Sequence, residues 1–197
     1  MEGTENTDRT YLKITVWLVN KLLEGKLVNL RVVEKEDFSI LIEWFNKPEF
    51  WGEYKGLGQL SKENIEKWYD KVLAEGGNWF FVEKKDGTKV GFIEHHLSGN
   101  MLEIGYVLIP TERGKGYCTE AVQLMVDYLF LSKDNVRIQA VTHVENKASQ
   151  RVLDKAGFKK EGILRKSVFM MGVWADFYIL SILKEEWKEP KILTRTA

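Results

Sequence analysis

The sequence is short of cysteine and has no excess charge of either sign. Its single cysteine, Cys118, has no second cysteine in the chain to pair with. This favours a reducing compartment, and we expect the cytoplasm. Lysine and arginine together number 29, as do aspartate and glutamate. The chain as a whole therefore does not attract nucleic acid or an acidic membrane, and we expect neither as a partner. An anionic ligand would need a local binding site.

Long hydrophobic runs are missing as well. The stretch 12–23 is interrupted by two lysines and an asparagine, and it falls short of the roughly 18 apolar residues that cross a membrane. Acidic residues precede it, which argues against a secretory signal. A chain of 197 residues with 44% hydrophobic content suits one core. We expect a helical N-terminal extension at 1–21, a single domain at 22–187 and a C-terminal tail at 188–197.

Hydrophobic periodicity divides the domain into strands and helices. Apolar residues recur at helical spacing in four segments, and β-branched runs bounded by turn residues mark the strands. The Asp86-Gly87 pair predicts a hairpin turn. We expect a mixed α/β (α+β) fold with strands at 27–33, 79–84, 90–97, 102–109, 136–144, 159–170 and 173–183, and with helices beginning near residues 37, 62, 117 and 147.

A glycine loop lies between the strand at 102–109 and the next helix. It reads Arg113-Gly114-Lys115-Gly116-Tyr117-Cys118-Thr119. Backbone N–H groups at a helix N-terminus bind phosphate, and glycine lets the phosphate approach closely. Arg113 and Lys115 add positive charge. A plain surface turn has the same composition, so the surrounding sequence must decide between the two interpretations.

Two common phosphate loops are excluded. A Walker A loop needs Ser or Thr directly after Gly-Lys, whereas Gly116 follows Lys115. The dinucleotide fingerprint needs a third glycine at the position of Thr119. That fingerprint also follows the first strand of a βαβ unit, whereas this loop follows a series of antiparallel strands. We therefore expect neither a nucleotide triphosphatase nor a Rossmann domain.

The loop resembles the coenzyme A loop of the Gcn5-related N-acetyltransferase (GNAT) superfamily. In that loop Arg or Gln is followed, after two residues, by Gly, then by any residue and a Gly or Ala. Arg113, Gly116 and Cys118 occupy this frame, with cysteine as a departure. Further stretches, among them Glu103-Ile104-Gly105-Tyr106 and Asn146-Lys147-Ala148-Ser149, resemble the branch of ribosomal-protein N-terminal acetyltransferases. The resemblance covers nearly the whole chain from residue 24 onward.

This resemblance implies a mostly antiparallel central sheet flanked by helices and splayed between its fourth and fifth strands. The pantetheine arm of acetyl-coenzyme A (acetyl-CoA) would lie in the gap as a pseudo-strand. The cofactor-binding residues that the resemblance implies are Val107, Leu108, Ile109, Arg113, Gly114, Lys115, Gly116, Tyr117, Cys118, Thr119, Asn146 and Ser149.

Two positions in the helix after residue 146 bear on catalysis. Asn146 matches the residue that hydrogen-bonds pantetheine, although a simple helix N-cap fits it equally well. Many family members carry a tyrosine seven residues later, which protonates the leaving thiolate, but Leu153 stands there. Ser149 is the nearest hydroxyl and matches a serine of the ribosomal-protein branch, so the resemblance makes it the candidate acid. A first-turn helix serine is the alternative.

The acceptor amine must lose a proton before it attacks. At pH 7 about 10% of an α-amine is neutral, against about 0.04% of a lysine amine, so an α-amine needs only a modest base. Our candidate base is Glu103, with Glu94 as the second carboxylate and His95, His96 and Asp176 behind them. Strand carboxylates are more often part of a solvated face.

The activity expected from these features is direct acetyl transfer from acetyl-CoA to a primary amine, most of all a protein N-terminal α-amine, without a metal. An aromatic run, Trp44, Phe45, Phe50, Trp51 and Tyr54, is expected to shape acceptor choice. One alternative is acetylation of a polyamine or aminoglycoside, which an acidic pocket would favour. Another is a non-catalytic acyl-CoA-binding module. A homodimer is kept open beside a monomer.

Overall fold

The computed structural model describes residues 22–54 and 58–193. The expected helical extension at 1–21 lies outside these residues. The strands are β1 (Leu22–Glu24), β2 (Val28–Val32), β3 (Asn78–Lys84), β4 (Lys89–Ser98), β5 (Met101–Leu108), β6 (Arg137–His143), β7 (Lys159–Met170) and β8 (Val173–Leu183). The helices are α1 (Phe38–Phe45), α2 (Pro48–Trp51), α3 (Lys62–Ala74), α4 (Tyr117–Ser132) and α5 (Lys147–Lys155), with 3-10 turns at Lys35–Asp37 and Pro110–Glu112.

The strands form one eight-stranded sheet in the order β1-β2-β3-β4-β5-β6-β8-β7. Every neighbouring pair is antiparallel except β5 and β6. These two strands run parallel and pair only at Leu102 with Ile138 and at Glu103 with Gln139. Beyond that point they diverge, which confirms the predicted splay. It lies between the fifth and sixth strands because the sequence analysis missed the three-residue strand β1.

Helices cover both faces of the sheet and make two cores. On one face α4 and α5 bury aliphatic side chains such as Leu124, Met125 and Leu153. On the other face α1, α2 and α3 bury an aromatic cluster around Trp79 and Phe45. The central strand β3 is buried on both sides, so its run of apolar residues follows from packing on two layers. The gap between β5 and β6 therefore opens in a sheet that is packed on both faces.

The turn between β1 and β2 is fixed by helix α4. The carboxylate of Glu120, in the first turn of α4, accepts hydrogen bonds from the backbone N–H groups of Lys26, Leu27 and Val28 at 2.9, 2.7 and 2.7 Å. A side chain at Gly25 would meet the Val28 carbonyl and the Glu120 carboxyl. The Glu120 carboxylate thus holds the glycine loop and the start of the sheet together.

The stretch expected to be a C-terminal tail packs against the domain as far as the structure describes it. Asp127 of α4 accepts hydrogen bonds from Trp187 Nε1 at 2.8 Å, from Ile192 N at 3.0 Å and from Lys191 N. Leu193 N donates to the Glu24 carbonyl at 2.8 Å, and Ile192 is buried. In the described residues, no helix combines the length and apolar character needed to span a membrane.

Candidate active site

A cleft of about 500 Å³ opens where β5 and β6 part. Its walls are β5, the glycine loop with the N-terminus of α4, the first turns of α5 and the loop after α2. Val107 packs toward the aromatic core, whereas Tyr106 packs toward the α4 side, so the cleft reaches both faces of the sheet. The lining residues are Trp51, Gly52, Glu53, Tyr54, Tyr106, Val107, Leu108, Arg113, Gly114, Gly116, Tyr117, Cys118, Thr119, Asn146, Ala148, Ser149, Arg151, Val152 and Lys155.

The glycine loop brings the N-terminus of a 16-residue helix to this cleft. Gly114 and Gly116 have φ of +79° and +87°, a left-handed conformation that glycine adopts without strain. The first N–H groups of a helix have no partner within it and carry the positive end of its dipole. A Cβ at Gly114 would meet nothing within 4 Å, so a ligand has room to approach. The loop fits an anionic phosphate.

The two basic residues of the loop take different positions. Arg113 lines the cleft, but its Nε donates to the Leu108 carbonyl at 3.0 Å and its Nη2 to the Phe50 carbonyl at 2.8 Å. The guanidinium thereby ties β5 to the segment that carries Trp51 and Tyr54. Lys115 does not line the cleft, and its ammonium pairs with Glu112 at 3.0 Å.

Two further cations come from α5. Arg151 and Lys155 line the cleft, and the sequence analysis missed both. The signal was available, since residues 148, 151, 152 and 155 follow the three- and four-residue steps that put side chains on one helix face. These cations add positive charge to the cleft that the glycine loop also lines.

The β5 backbone is open toward the gap. Val107 and Leu108 line the cleft, and neither pairs with β6. Ile109 does not line it; its N–H donates to the Val90 carbonyl at 3.0 Å, and its side chain packs on the aromatic core. The structure therefore brings two of these three predicted residues to the cleft, and their contact with pantetheine stays a prediction.

Asn146 and Ser149 meet at the start of α5. The Asn146 Oδ1 accepts a hydrogen bond from Ser149 N at 3.0 Å, so Asn146 is the helix N-cap, and both residues line the cleft. Ser149 Oγ lies 2.8 Å from the hydroxyl of Tyr106 on β5. Leu153 is fully buried in the core on the α4 side, so the position where many relatives carry a tyrosine does not face the cleft here. Tyr106 was not among the predicted site residues.

The carboxylates and histidines proposed as bases lie elsewhere. Glu103 Oε2 accepts a hydrogen bond from Gln139 Nε2 at 2.9 Å, and Glu94 lies 3.7 Å from His96 Nδ1. His95 is buried on the opposite face against Tyr128, and Asp176 accepts a hydrogen bond from Lys166 N at 2.7 Å. None of these five side chains lines the cleft.

Glu53 is the single carboxylate among the described residues that line the cleft. It stands between Trp51 and Tyr54, and the Tyr54 ring lies 5.1 Å from that of His143 on β6. Of the predicted aromatic run, Phe45 and Phe50 are instead buried in the core. Along the stretches that the structure describes, no group of His, Cys, Asp and Glu side chains could hold a metal ion.

Comparison with known proteins gives a consistent result. A family model described as "Acetyltransferase (GNAT) domain" matches residues 28–159. The uncharacterized N-acetyltransferase p20 of Bacillus licheniformis is 32% identical over 169 residues, which are 81% of this chain and 94% of that protein.

Two solved structures share the fold at low identity. The ribosomal-protein-S5-alanine acetyltransferase from Vibrio fischeri is 21% identical, with a TM-score of 0.73 over 85% of this chain and 99% of that one. The spermidine N-acetyltransferase from Vibrio cholerae, solved in complex with CoA and spermine, is 22% identical, with a TM-score of 0.69 over 81% of this chain and 97% of that one. The first name refers to a ribosomal-protein acceptor and the second to spermidine.

Proposed function

The chain belongs to the GNAT family of N-acetyltransferases, and from that membership we propose that it transfers an acetyl group from acetyl-CoA directly to the α-amine of a peptide or protein. The observation that supports this is the cleft itself, which joins a helix N-terminal glycine loop to an unpaired stretch of β5. The glycine loop would bind the phosphates of acetyl-CoA, and the unpaired backbone of β5 would contact its thioester.

Each part of the cleft has a role in this proposal. The N–H groups at the start of α4, with Arg151 and Lys155, would bind the phosphates. The unpaired backbone of Val107 and Leu108 would hold the pantetheine arm and orient the thioester carbonyl. Acetyl-CoA supplies the activated acetyl group. The amine would enter past Trp51 and Tyr54, with Glu53 placed to receive its positive charge.

The charge of the cleft supports an α-amine over a polyamine. Arg151 and Lys155 are assigned to the phosphates, so Glu53 is the one carboxylate among the described lining residues that could meet an acceptor amine. Because a polyamine carries several positive charges, its binding is favoured by several carboxylates, and one carboxylate suits a singly charged amine better. An α-amine carries one charge and needs little help to lose its proton.

An acceptor screen tests the proposal. The amines are peptides with different free first residues, the same peptides with a blocked N-terminus and one internal lysine, spermidine and an aminoglycoside, and the readout is release of free thiol from acetyl-CoA. We expect turnover with the free peptides and little with the blocked ones. A preference for spermidine would favour the small-amine alternative. Thiol release with none of them, although CoA binds, would favour the non-catalytic module.

Two further expectations stay proposals. We keep the cytoplasm as the location, supported by the free thiol of Cys118. We also keep a homodimer beside a monomer, which sedimentation of the full chain would decide.

A further inference from the structure

We propose that Tyr106 is a second hydroxyl that acts together with Ser149, the residue already implied by family resemblance, to stabilise the thiolate leaving acetyl-CoA. The proposal rests on the acetyl transfer proposed above. The Tyr106 hydroxyl lies 2.8 Å from Ser149 Oγ and 3.3 Å from the Ser149 carbonyl oxygen. Both residues line the cleft, and their hydrogen bond joins β5 to α5 beside the gap that opens between β5 and β6.

Packing fixes the positions of both hydroxyls. Strand alternation puts Tyr106 on the same face of β5 as Ile104 and Leu108, which are buried in the core beneath α4. Ser149 is held through its backbone N–H, which donates to the Asn146 side chain. Donors that are already in place before the reaction need no reorganisation when charge develops, and this is what makes such groups effective.

Acetyl transfer creates a charge that these donors can meet. The amine nitrogen bonds to the carbonyl carbon, the carbon–sulfur bond breaks, and its electron pair goes to sulfur, while the amine proton passes to water or a base. Two other candidates, Leu153 and Cys118, are poorly suited to stabilise the thiolate. Leu153 is apolar and buried. The Cys118 thiol is a weak donor, and burial raises its pKa to about 12.

Proton affinity indicates how the pair would act. Burial raises the pKa of Tyr106 above its ordinary value, and the neighbouring Cys118 adds to the effect. An ordinary thiol ionises near 8.5, well below a tyrosine near 10. Full proton transfer from Tyr106 to the thiolate is therefore uphill. The pair would stabilise the thiolate by hydrogen bonding, and the thiolate would take its proton from water afterwards.

The experiment compares Tyr106→Phe, Ser149→Ala and the double variant with the wild type. Tyr128→Phe is the matched control, because Tyr128 packs between Phe80 and His95 and does not line the cleft. The readouts are the single-turnover rate of acetyl transfer to the best amine of the screen, the CoA-induced rise in melting temperature, and the rate from pH 6.5 to 9.

We expect each single variant to lower the rate about 10- to 100-fold, at or below the roughly 100-fold lower limit for a lost donor, because a thiolate is a weak base. The double variant should lose less rate than the product of the two single losses, because the two hydroxyls act through one shared hydrogen bond. The CoA-induced shift should persist, and the loss should be similar at every pH.

Three results would overturn the pair. If Tyr106→Phe transfers acetyl as fast as Tyr128→Phe, then Tyr106 is only a packing residue, while the acetyltransferase function stands. If Tyr106→Phe loses the CoA-induced shift together with its activity, then its hydroxyl supports binding and not the leaving group. A wild-type chain that releases no thiol with any amine overturns the proposed function and the pair together.

Discussion

His95 is a titratable residue of β4 whose side chain is almost completely buried. Its side chain is 1% exposed and packs near Phe80 and Tyr128. Neither ring nitrogen has a hydrogen-bond partner within residues 22–54 and 58–193. Burial lowers the pKa of His95 to about 3, and the charge of Lys133 contributes. The folded protein therefore keeps this ring neutral at acidic pH.

This burial predicts a loss of stability in mild acid. In the unfolded chain the ring takes up a proton near pH 6.5, whereas in the folded chain it does so only near pH 3. Between these values the unfolded state binds more protons, so the free energy of unfolding falls with decreasing pH, by up to about 1.4 kcal/mol per pH unit. His95→Phe should remove this slope between pH 6.5 and 5 in urea unfolding.

His96→Gln is the control for that measurement, because His96 is half-buried on the opposite face of β4. We expect it to keep the wild-type slope. If His95→Phe and the wild type lose stability equally between pH 6.5 and 5, then His95 is not the group responsible.

Residue roles were the part least accessible from sequence. Asn146 was predicted both as a helix cap and as a pantetheine ligand, and the capping bond is present, while the second role stays a prediction. Tyr106 was not predicted as a site residue because its hydrogen-bond partner Ser149 lies 43 residues away in sequence. Glu120 was given no role, because no local pattern shows that its carboxylate accepts hydrogen bonds from three N–H groups of the β1–β2 turn.

Among the elements, the contact between α4 and the β1–β2 turn carries a stability prediction. Glu120→Ala would leave the N–H groups of Lys26, Leu27 and Val28 without their carboxylate, and hydrogen bonds to a charged group contribute about 1.5–3 kcal/mol. We expect the free energy of unfolding to drop by about 2 kcal/mol in urea titrations. Glu75→Ala removes only an exposed pair with Lys71 at 4.0 Å and should change it by well under 1 kcal/mol. Equal effects of the two variants would contradict this role.

The elements themselves followed closely from local patterns. The helix predicted to begin near residue 62 is present, with Ser61 as its N-cap and Ser61 Oγ accepting a hydrogen bond from Asn64 N. The predicted Asp86-Gly87 turn does join β3 to β4. The strand Leu22–Glu24 and the helix Pro48–Trp51 were missed, because three or four residues are too few to show a period. The splay was implied by family resemblance and not by periodicity, since local patterns do not encode where strands diverge.

Across the whole molecule, acidic and basic residues are equal in number but unevenly distributed. A chain with equal numbers of acidic and basic residues places Arg113, Arg151, Lys155 and the positive end of α4 around one cleft. The absence of net charge therefore did not exclude an anionic ligand, and only the glycine loop indicated where it would bind. Electrostatic binding of this kind weakens as salt rises.

The central claim is that CoA binds at the glycine loop, and thermal unfolding with and without CoA tests it most directly. A ligand at a hundredfold excess over its Kd stabilises by about 2.7 kcal/mol, which for a chain of this size raises Tm by about 5–10 °C. Gly116→Val should abolish the rise, because a branched side chain would block the phosphate. Gly87→Val is the matched control, since Gly87 has a similar φ of +84° in the β3–β4 turn and should keep it. The contrary result is a folded wild-type protein whose Tm does not move at CoA concentrations well above about 1 mM.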